Sequence, residues 1–302
     1  MSKLAVLGGG NLGRALALGW VRAGRYAPSD IHVTRRQAEK LADLAAEGYA
    51  VGSDNGAAVR ACDLIVLAVQ PQQLDALLAE VMPALEAGRH RVISVVSGAS
   101  IAQIRNALGD GVSVVRAMPN TAVSIGESMT CLATSEGDPE APGGVRAAVG
   151  GARAAVGGAS TAVGGASAAL GGAPPPLEEA RALFDLVGRT LEIQEEMMVP
   201  ATALCACGVA FFLRCIRAAS QGGIEIGFHP EEALLLAGQT ARGAAALSLK
   251  EDSHPEGEID RVTTPRGCTI AGLNEMEHQG LSSAMIKGLI VSARAAEGLY
   301  RG

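Results

Sequence analysis

The sequence has few aromatic residues and no excess of positive charge. Aromatic residues make up only 3% of the 302 residues, whereas hydrophobic residues make up 48%, so the core must be built mainly from aliphatic side chains. The formal net charge is −6, and a mildly acidic chain lacks the basic surface that attracts nucleic acids or anionic membranes. We therefore expect a small-molecule ligand, and neither a nucleic-acid nor a membrane partner.

Paired cysteines and long apolar runs are also missing. The cysteines are scattered and have neither a CxxC framework nor zinc-ligand spacing; they are Cys62, Cys131, Cys205, Cys207, Cys215 and Cys268. This distribution favours free thiols in a reducing compartment and predicts no metal site. No apolar run comes near the roughly 18 residues of a membrane span, and glycine at Gly8 comes too early for a signal peptide. We expect a cytoplasmic protein.

What the sequence does contain is an alternation of short apolar runs and amphipathic stretches. The runs that predict strands are 3–7, 31–34, 63–69, 91–96 and 112–116. The stretches that predict helices are 12–22, 36–47 and the residues that follow Pro71. This alternation is typical of an α/β fold with a doubly wound Rossmann sheet.

A seven-residue repeat interrupts this pattern from Gly143, in four copies that end at Pro174. Each copy contains two glycines, which cost roughly 2 kcal/mol of helix propensity per copy and argue against a coiled coil. We interpret residues 141–176 as a flexible surface insertion.

The second half of the chain has a different periodicity. Residues 177–187 predict a helix and 190–193 the last strand of the sheet, and helical spacing then covers 203–220, 231–249 and 282–299. We therefore predict a Rossmann domain at 1–198 and an all-α domain at 199–302.

The segment between the first strand and the first helix fits the pattern G-x-G-x-x-G. Its glycines are Gly8, Gly10 and Gly13, and Asn11 and Leu12 lie between the last two. In such loops the first glycine permits the turn, the second lets the backbone approach a pyrophosphate, and the third lets helix and strand pack closely. The pyrophosphate then lies at the helix N-terminus, so the pattern predicts a dinucleotide cofactor.

The end of the second strand indicates which dinucleotide binds. An NAD enzyme often has Asp or Glu there for the ribose 2′-hydroxyl, whereas this chain has Thr34, Arg35 and Arg36. Two guanidinium groups and a hydroxyl suit a 2′-phosphate, so we predict NADPH, with NADH as the alternative.

Later stretches resemble one enzyme family. Residues 116–121 (RAMPNT), 202–212 (TALCACGVAFF) and 263–272 (TTPRGCTIAG) are similar, in order and spacing, to stretches of the pyrroline-5-carboxylate reductases, as is AVQP at 68–71. The resemblance implies hydride transfer from NADPH to Δ1-pyrroline-5-carboxylate, giving L-proline, without a metal. It also implies a homodimer formed by the helical domain, an active site between the Rossmann domain and that dimer, and often a decamer.

The resemblance also assigns residues. It implies that the Thr269 hydroxyl lies near the ring nitrogen, and that the backbone amides of Gly267, Cys268 and Thr269 hold the substrate carboxylate. It places Ala68, Val69 and Asn120 beside the nicotinamide, and Cys207 at the substrate. Without the family, residues 263–265 read as a helix start with a capping threonine.

Several positions depart from the family pattern, mostly on the substrate side: Gln70, Ala122, Ala206, Cys207, Val209 and Arg266. Cys207 replaces a serine, and Arg266 replaces a glycine; if that glycine has positive φ, Arg266 is strained by roughly 1 kcal/mol or more. Arg266 would either grip the carboxylate or obstruct the pocket. These departures leave two alternatives open: a reductase of another substrate, such as a different cyclic imine or a 3-hydroxy acid, and a non-catalytic NADP-binding homologue.

Overall fold

The computed structural model describes residues 3–109, 111–135 and 175–300, and eight strands within these ranges form one sheet. The strands are β1 (Leu4–Leu7), β2 (Ile31–Thr34), β3 (Ala50–Gly52), β4 (Leu64–Leu67), β5 (Arg91–Ser94), β6 (Ser113–Met118), β7 (Ser128–Ala133) and β8 (Gly188–Glu192). Their order is β3-β2-β1-β4-β5-β6-β7-β8. The seven-residue repeat, for which we predict a flexible insertion, lies outside the described residues.

The sheet has the connectivity of a doubly wound fold. Its strands pair in parallel except where β7 runs antiparallel to β6. The chain moves from β1 outward to β3 and then crosses to β4 on the other side of β1, which creates a topological switch point between β1 and β4. Ligands of such sheets bind at that point, beyond the carboxyl ends of the strands. The predicted α/β fold class is confirmed.

Helices cover both faces of the sheet. The helices of this part of the chain are α1 (Asn11–Arg22), α2 (Ala42–Ala46), α3 (Asn55–Ala61), α4 (Leu74–Val81), α5 (Ile101–Leu108), α6 (Pro176–Phe184) and α7 (Met198–Ala201). On one face Trp20 of α1 is fully buried, meets Phe184 of α6 edge-on and donates its indole N–H to the Leu183 carbonyl at 2.9 Å. On the other face α3, α4 and α5 pack against the sheet. Aliphatic side chains make up most of both core layers, as the composition predicts.

The sequence pattern did not reveal every strand of this sheet or every helix packed against it. It gave no sign of β3, α3, α5 or β7, whereas the predicted final strand is confirmed as β8. The strand β7 pairs with both β6 and β8, so its place depends on partners that are distant in sequence.

The chain forms two compact units, and the first runs to Cys205 and includes the residues from Ala296 onward. The second runs from Ala206 to Ala295. Its helices are α8 (Gly208–Glu225), α9 (Pro230–Ser248), α10 (Pro255–Val262), α11 (Cys268–His278) and most of α12 (Leu281–Glu297). A boundary between functional domains near Met198 stays a prediction.

The predicted helix start at residues 263–265 is wrong. Thr263 follows the last residue of α10, and its backbone N–H and its hydroxyl donate to carbonyls of that helix, including that of Asp260. The next helix begins at Cys268 with Gly267 as its N-cap residue. A threonine hydroxyl can close one helix as well as open another, and the local sequence does not distinguish the two.

One helical stretch, Glu195–Glu225, is long and apolar enough to cross a membrane by length and composition alone. This corrects the expectation that no apolar run comes near that length, because residues 197–213 carry no charge. The stretch contains a π-helical turn at Thr202–Cys207. Most of its side chains are not buried within the chain, so the stretch presents an apolar surface.

Candidate active site

The glycine-rich loop between β1 and α1 is held by close backbone contacts. Gly8 has φ +118°, and a Cβ atom there would lie 2.4 Å from the Ala68 carbonyl oxygen at the end of β4. A Cβ atom at Gly13 would lie 2.2 Å from the Gly8 carbonyl oxygen, so α1 can approach the loop only without a side chain. At Gly10, by contrast, nothing lies within 4 Å of the Cβ position. The loop is therefore closed on the protein side at two glycines and open at the third.

The N-terminus of α1 is suited to bind an anion. Gly10 is its N-cap residue, with no side-chain hydrogen bond to the first turn, and that turn contains no acidic residue. The first N–H groups of a helix have no intrahelical acceptor, and the helix dipole adds partial positive charge there. Asn11 and Leu12 supply two of these N–H groups, which makes this turn a natural pyrophosphate site.

A cavity of about 810 Å³ opens beside this loop, at the switch point of the sheet. It brings together seven of the predicted cofactor residues: Gly8, Gly10, Thr34, Arg35, Arg36, Ala68 and Val69. Asn11, Leu12 and Gly13 are in the first turn of α1 but do not line the cavity, and neither does Asn120.

The two predicted arginines have different roles in this cavity. Arg35 donates from Nη1 to the Gly9 carbonyl at 3.1 Å, so its guanidinium braces the glycine loop. Arg36 is exposed and has no hydrogen bond or ion pair with any residue that the structure describes. Arg36 is thus the guanidinium in the cavity that is free to meet an anionic ligand.

A polar network at the same end of the cavity was not predicted. The buried Thr34 hydroxyl donates to Asn55 Oδ1 at 2.6 Å, and Asn55 Nδ2 donates to both Glu80 carboxylate oxygens at 3.0 and 3.1 Å. The Thr34 hydroxyl is therefore already used within the protein. Asn55 opens α3, a helix missing from our prediction, although Asp54 before it is an ordinary capping residue that marks the helix start.

Asn120 makes three hydrogen bonds within the protein. Its side chain accepts a hydrogen bond from the Ala122 N–H at 3.0 Å and donates from Nδ2 to the Cys205 carbonyl at 3.1 Å. Its own N–H donates to Ser128 Oγ at 3.1 Å. Asn120 is buried, and these bonds join the turn after β6 to the π-helical turn.

The predicted substrate loop lies in the second unit. Arg266 has φ +61°, so the anticipated left-handed conformation is present at a residue with a large side chain. The Gly267 N–H donates to the Thr264 carbonyl at 2.9 Å, which leaves Cys268 and Thr269 to supply the N–H groups at the start of α11. Thr269 is half-buried and Cys268 exposed.

Cys207 ends the π-helical turn and is half-buried. Single π-helical turns inside longer helices are frequent at functional sites because the extra residue redirects side chains. Across the three described ranges, no cluster of His, Cys, Asp or Glu forms a group that could hold a metal ion.

Comparison with known families matches two parts of the chain. Residues 195–299 match the family described as pyrroline-5-carboxylate reductase dimerisation. Residues 3–98 match the family described as NADP oxidoreductase, coenzyme F420-dependent.

Relatives that align with nearly all of this chain are named pyrroline-5-carboxylate reductases. The chain is similar to pyrroline-5-carboxylate reductase 2 of Dictyostelium discoideum, with 45% identity over 96% of this chain and 90% of the relative. It is 46% identical to pyrroline-5-carboxylate reductase 1 of the same organism over 98% of this chain, but spans only 50% of that relative. The pyrroline-5-carboxylate reductase of Methanosarcina acetivorans is 31% identical over 98% and 96% of the two chains.

Solved structures share the fold. A Coxiella burnetii pyrroline-5-carboxylate reductase aligns with a TM-score of 0.79 and 25% identity over 100% of this chain and 99% of its own. Plasmodium falciparum pyrroline carboxylate reductase, solved with NADP bound, aligns with a TM-score of 0.80 and 22% identity over 99% and 98%.

Proposed function

The chain belongs to the pyrroline-5-carboxylate reductase family, and we propose that it reduces Δ1-pyrroline-5-carboxylate to L-proline with NADPH. The observation that carries this proposal is the glycine-lined cavity with a free arginine, in a chain that spans 90% of a pyrroline-5-carboxylate reductase at 45% identity. Because the chain spans only half of another such relative, we base the activity on the relative that it covers almost completely.

The residues of the cavity fit a dinucleotide with a 2′-phosphate. The open space at Gly10 and the uncapped first turn of α1 suit a pyrophosphate, and Arg36 suits the 2′-phosphate. Ala68 and Val69 end at the same cavity and would flank the nicotinamide half. When bound, NADPH supplies the hydride; NADH is the alternative donor.

On the substrate side, we assign the chemistry to the start of α11. The Thr269 hydroxyl would orient the imine nitrogen and help to deliver its proton, and the N–H groups of Cys268 and Thr269 would hold the carboxylate. Gly267 contributes less than the resemblance implies, because its N–H is bound to Thr264. Arg266 is exposed and lies two residues before Cys268 in the sequence, and we assign its guanidinium to the same carboxylate.

We further propose that the protein is a cytoplasmic homodimer, with a decamer as the larger assembly. Large apolar side chains are exposed in the segment that matches the dimerisation family, among them Phe212 at 60%, Leu213 at 58% and Val291 at 62%. Exposed apolar side chains concentrated in one segment are typical of an interface, and a second copy of the chain would cover them. An interface of this kind also accounts for the apolar stretch Glu195–Glu225 without a membrane.

A substrate panel tests the proposed reaction. NADPH oxidation is measured with Δ1-pyrroline-5-carboxylate and then with piperideine-2-carboxylate, and NADP reduction is measured with 3-hydroxyisobutyrate. We expect efficient turnover with the first compound only. Turnover that favours either of the others would reassign the substrate, and tight NADPH binding without any turnover would reject the enzymatic function.

A further inference from the structure

Two free cysteines lie side by side in the first unit. The Sγ atoms of Cys131 on β7 and Cys205 in the π-helical turn are 3.8 Å apart, although 74 residues separate them in sequence. Both belong to the first compact unit. The proposed reduction uses neither thiol, so their proximity has no role in that chemistry.

Asn120 holds the backbone on both sides of this pair. It donates from its backbone N–H to Ser128, the first residue of β7, and from Nδ2 to the Cys205 carbonyl, each at 3.1 Å. Because one residue binds both segments, it limits how far the two cysteines can separate. Such fixed proximity gives an intramolecular reaction a high effective concentration.

The two thiols differ in exposure and in acidity. Cys131 is 3% exposed, and Cys205 is half-buried. The contact between the two sulfurs lowers the pKa of Cys205, and the same contact, together with burial, raises the pKa of Cys131. The thiolate is the reactive form of cysteine, so Cys205 is the better nucleophile. A more accessible, more acidic thiol beside a second one is the usual arrangement of a peroxide-sensitive pair.

We propose that Cys131 and Cys205 are a modification site: hydroperoxides oxidise the two thiols to a reversible intramolecular disulfide. The Cys205 thiolate attacks a peroxide oxygen, the O–O bond breaks, and a sulfenic acid and hydroxide form. The Cys131 sulfur then attacks the sulfenic sulfur, the S–O bond breaks and water leaves. In sum, two thiols lose two hydrogens and one hydrogen peroxide becomes two waters.

The geometry allows this bond with a local movement. The sulfur atoms must close from 3.8 Å to about 2.05 Å, and we expect side-chain rotation to supply this approach because Asn120 holds the backbone on both sides. The disulfide would join the π-helical turn, which ends at Cys207, to β7, the strand next to the edge strand β8.

Peptide mapping of the full-length protein tests the proposal. The protein is treated with graded hydrogen peroxide, its remaining thiols are alkylated, and it is digested with trypsin without reduction. We expect a cross-linked pair of peptides, 117–146 and 190–214, with two hydrogens fewer than their sum and released by dithiothreitol. Oxidation of the exposed Cys215 and Cys268 without any such pair would overturn the proposal.

Matched serine variants identify the thiols, since peptide 190–214 also contains Cys207. We expect Cys207→Ser to keep the cross-link and Cys205→Ser to lose it. In Cys131→Ser, or in Cys131→Ala if the serine variant melts at a lower temperature, Cys205 should accumulate as a sulfenic acid that dimedone labels. A cross-link that survives Cys205→Ser, or sulfinic acid without a cross-link in the parent protein, would contradict the assignment.

Discussion

Two of the glycine-containing loops that lead into helices, at residues 8–13 and 263–269, are built on different constraints. In the loop at residues 8–13, a side chain at Gly8 or Gly13 would collide with backbone at 2.4 or 2.2 Å. In the loop at residues 263–269, an arginine occupies a left-handed position, exposed and with no bond to any described residue. The first loop is fixed by the sheet around it, whereas the second tolerates a residue that departs from its family.

This difference indicates where family motifs are most reliable. The contacts at Gly8 involve the ends of two adjacent central strands, so any substitution there disturbs the fold itself. The second loop joins two helices whose residues are mostly exposed, so its sequence is restricted mainly by the chemistry assigned to it. Changing each loop should therefore damage different properties, and four experiments test this distinction.

The largest effect is expected where chemistry alone restricts the loop. Thr269→Ala should lower kcat by about 100-fold or more, because the hydroxyl that we assign to proton delivery is lost. NADPH affinity, measured by fluorescence titration, should change little, since Thr269 lies outside the cofactor cavity.

Thr269→Ser is the matched control, because it keeps the hydroxyl and loses only a methyl group. It should retain most of the activity of the parent protein. Equal kcat values in Thr269→Ala and the parent would remove Thr269 from the catalytic residues.

The next effect separates two glycines of the first loop. Gly13→Ala should lower the free energy of unfolding by about 1–3 kcal/mol, because its Cβ would overlap the Gly8 carbonyl. Gly10→Ala should leave stability within about 1 kcal/mol of the parent protein, since its Cβ meets open space, but add bulk where the pyrophosphate approaches.

Urea unfolding and NADPH titration of both variants check this pair. We expect Gly10→Ala to raise the Kd of NADPH at least about tenfold, equivalent to 1.4 kcal/mol. If Gly10→Ala binds NADPH normally, the pyrophosphate does not approach at that residue.

The sequence predicted the parts of the molecule that depend on local pattern. The strand β1, the glycine loop and α1 follow one another within the first 22 residues, so their periodicity and spacing define them. In contrast, β7 is stabilised by β6 and β8, and the segment between β7 and α6 contains the repeat, so no local pattern indicates its pairing.

The same limit applies to the candidate site. Thr34, Arg35 and Arg36 were predicted because they lie at the end of the second strand, but their partners lie elsewhere in the sequence. The contact from Arg35 to Gly9 spans 26 residues, and Asn55 joins Thr34 to a carboxylate on α4. The sequence thus located the arginines without revealing which one is free.

The third prediction follows from the different contacts of Arg35 and Arg36. Arg36→Ala should raise the Kd of NADPH by about tenfold, or 1.4 kcal/mol, and leave the Kd of NADH unchanged, because only NADPH carries the 2′-phosphate. Arg35→Ala should weaken the binding of NADPH and NADH to a similar extent, because it removes the hydrogen bond to the Gly9 carbonyl that holds the glycine loop. Titration of each variant with both cofactors checks this, and an unchanged NADPH to NADH ratio in Arg36→Ala would contradict the phosphate assignment.

The smallest effect is expected from restoring glycine in the second loop. A non-glycine residue in the left-handed region costs roughly 1–2 kcal/mol, and Arg266 has φ +61°. Glycine removes this strain but gains backbone freedom when unfolded, which offsets about 0.4–1 kcal/mol. Arg266→Gly should therefore raise Tm by only a few degrees, roughly 1–3 °C. Asp252→Gly is the matched control: at φ +59° aspartate is tolerated better than arginine, so its Tm should rise less or fall.

The same variant also tests whether Arg266 contributes to substrate binding. If its guanidinium holds the substrate carboxylate, Arg266→Gly should raise the KM for Δ1-pyrroline-5-carboxylate several-fold while kcat stays close to that of the parent protein. Steady-state kinetics on the purified variant check this expectation. A lower KM would mean that the arginine obstructs the loop. Arg266 would then lower both the stability of the protein and its affinity for the substrate.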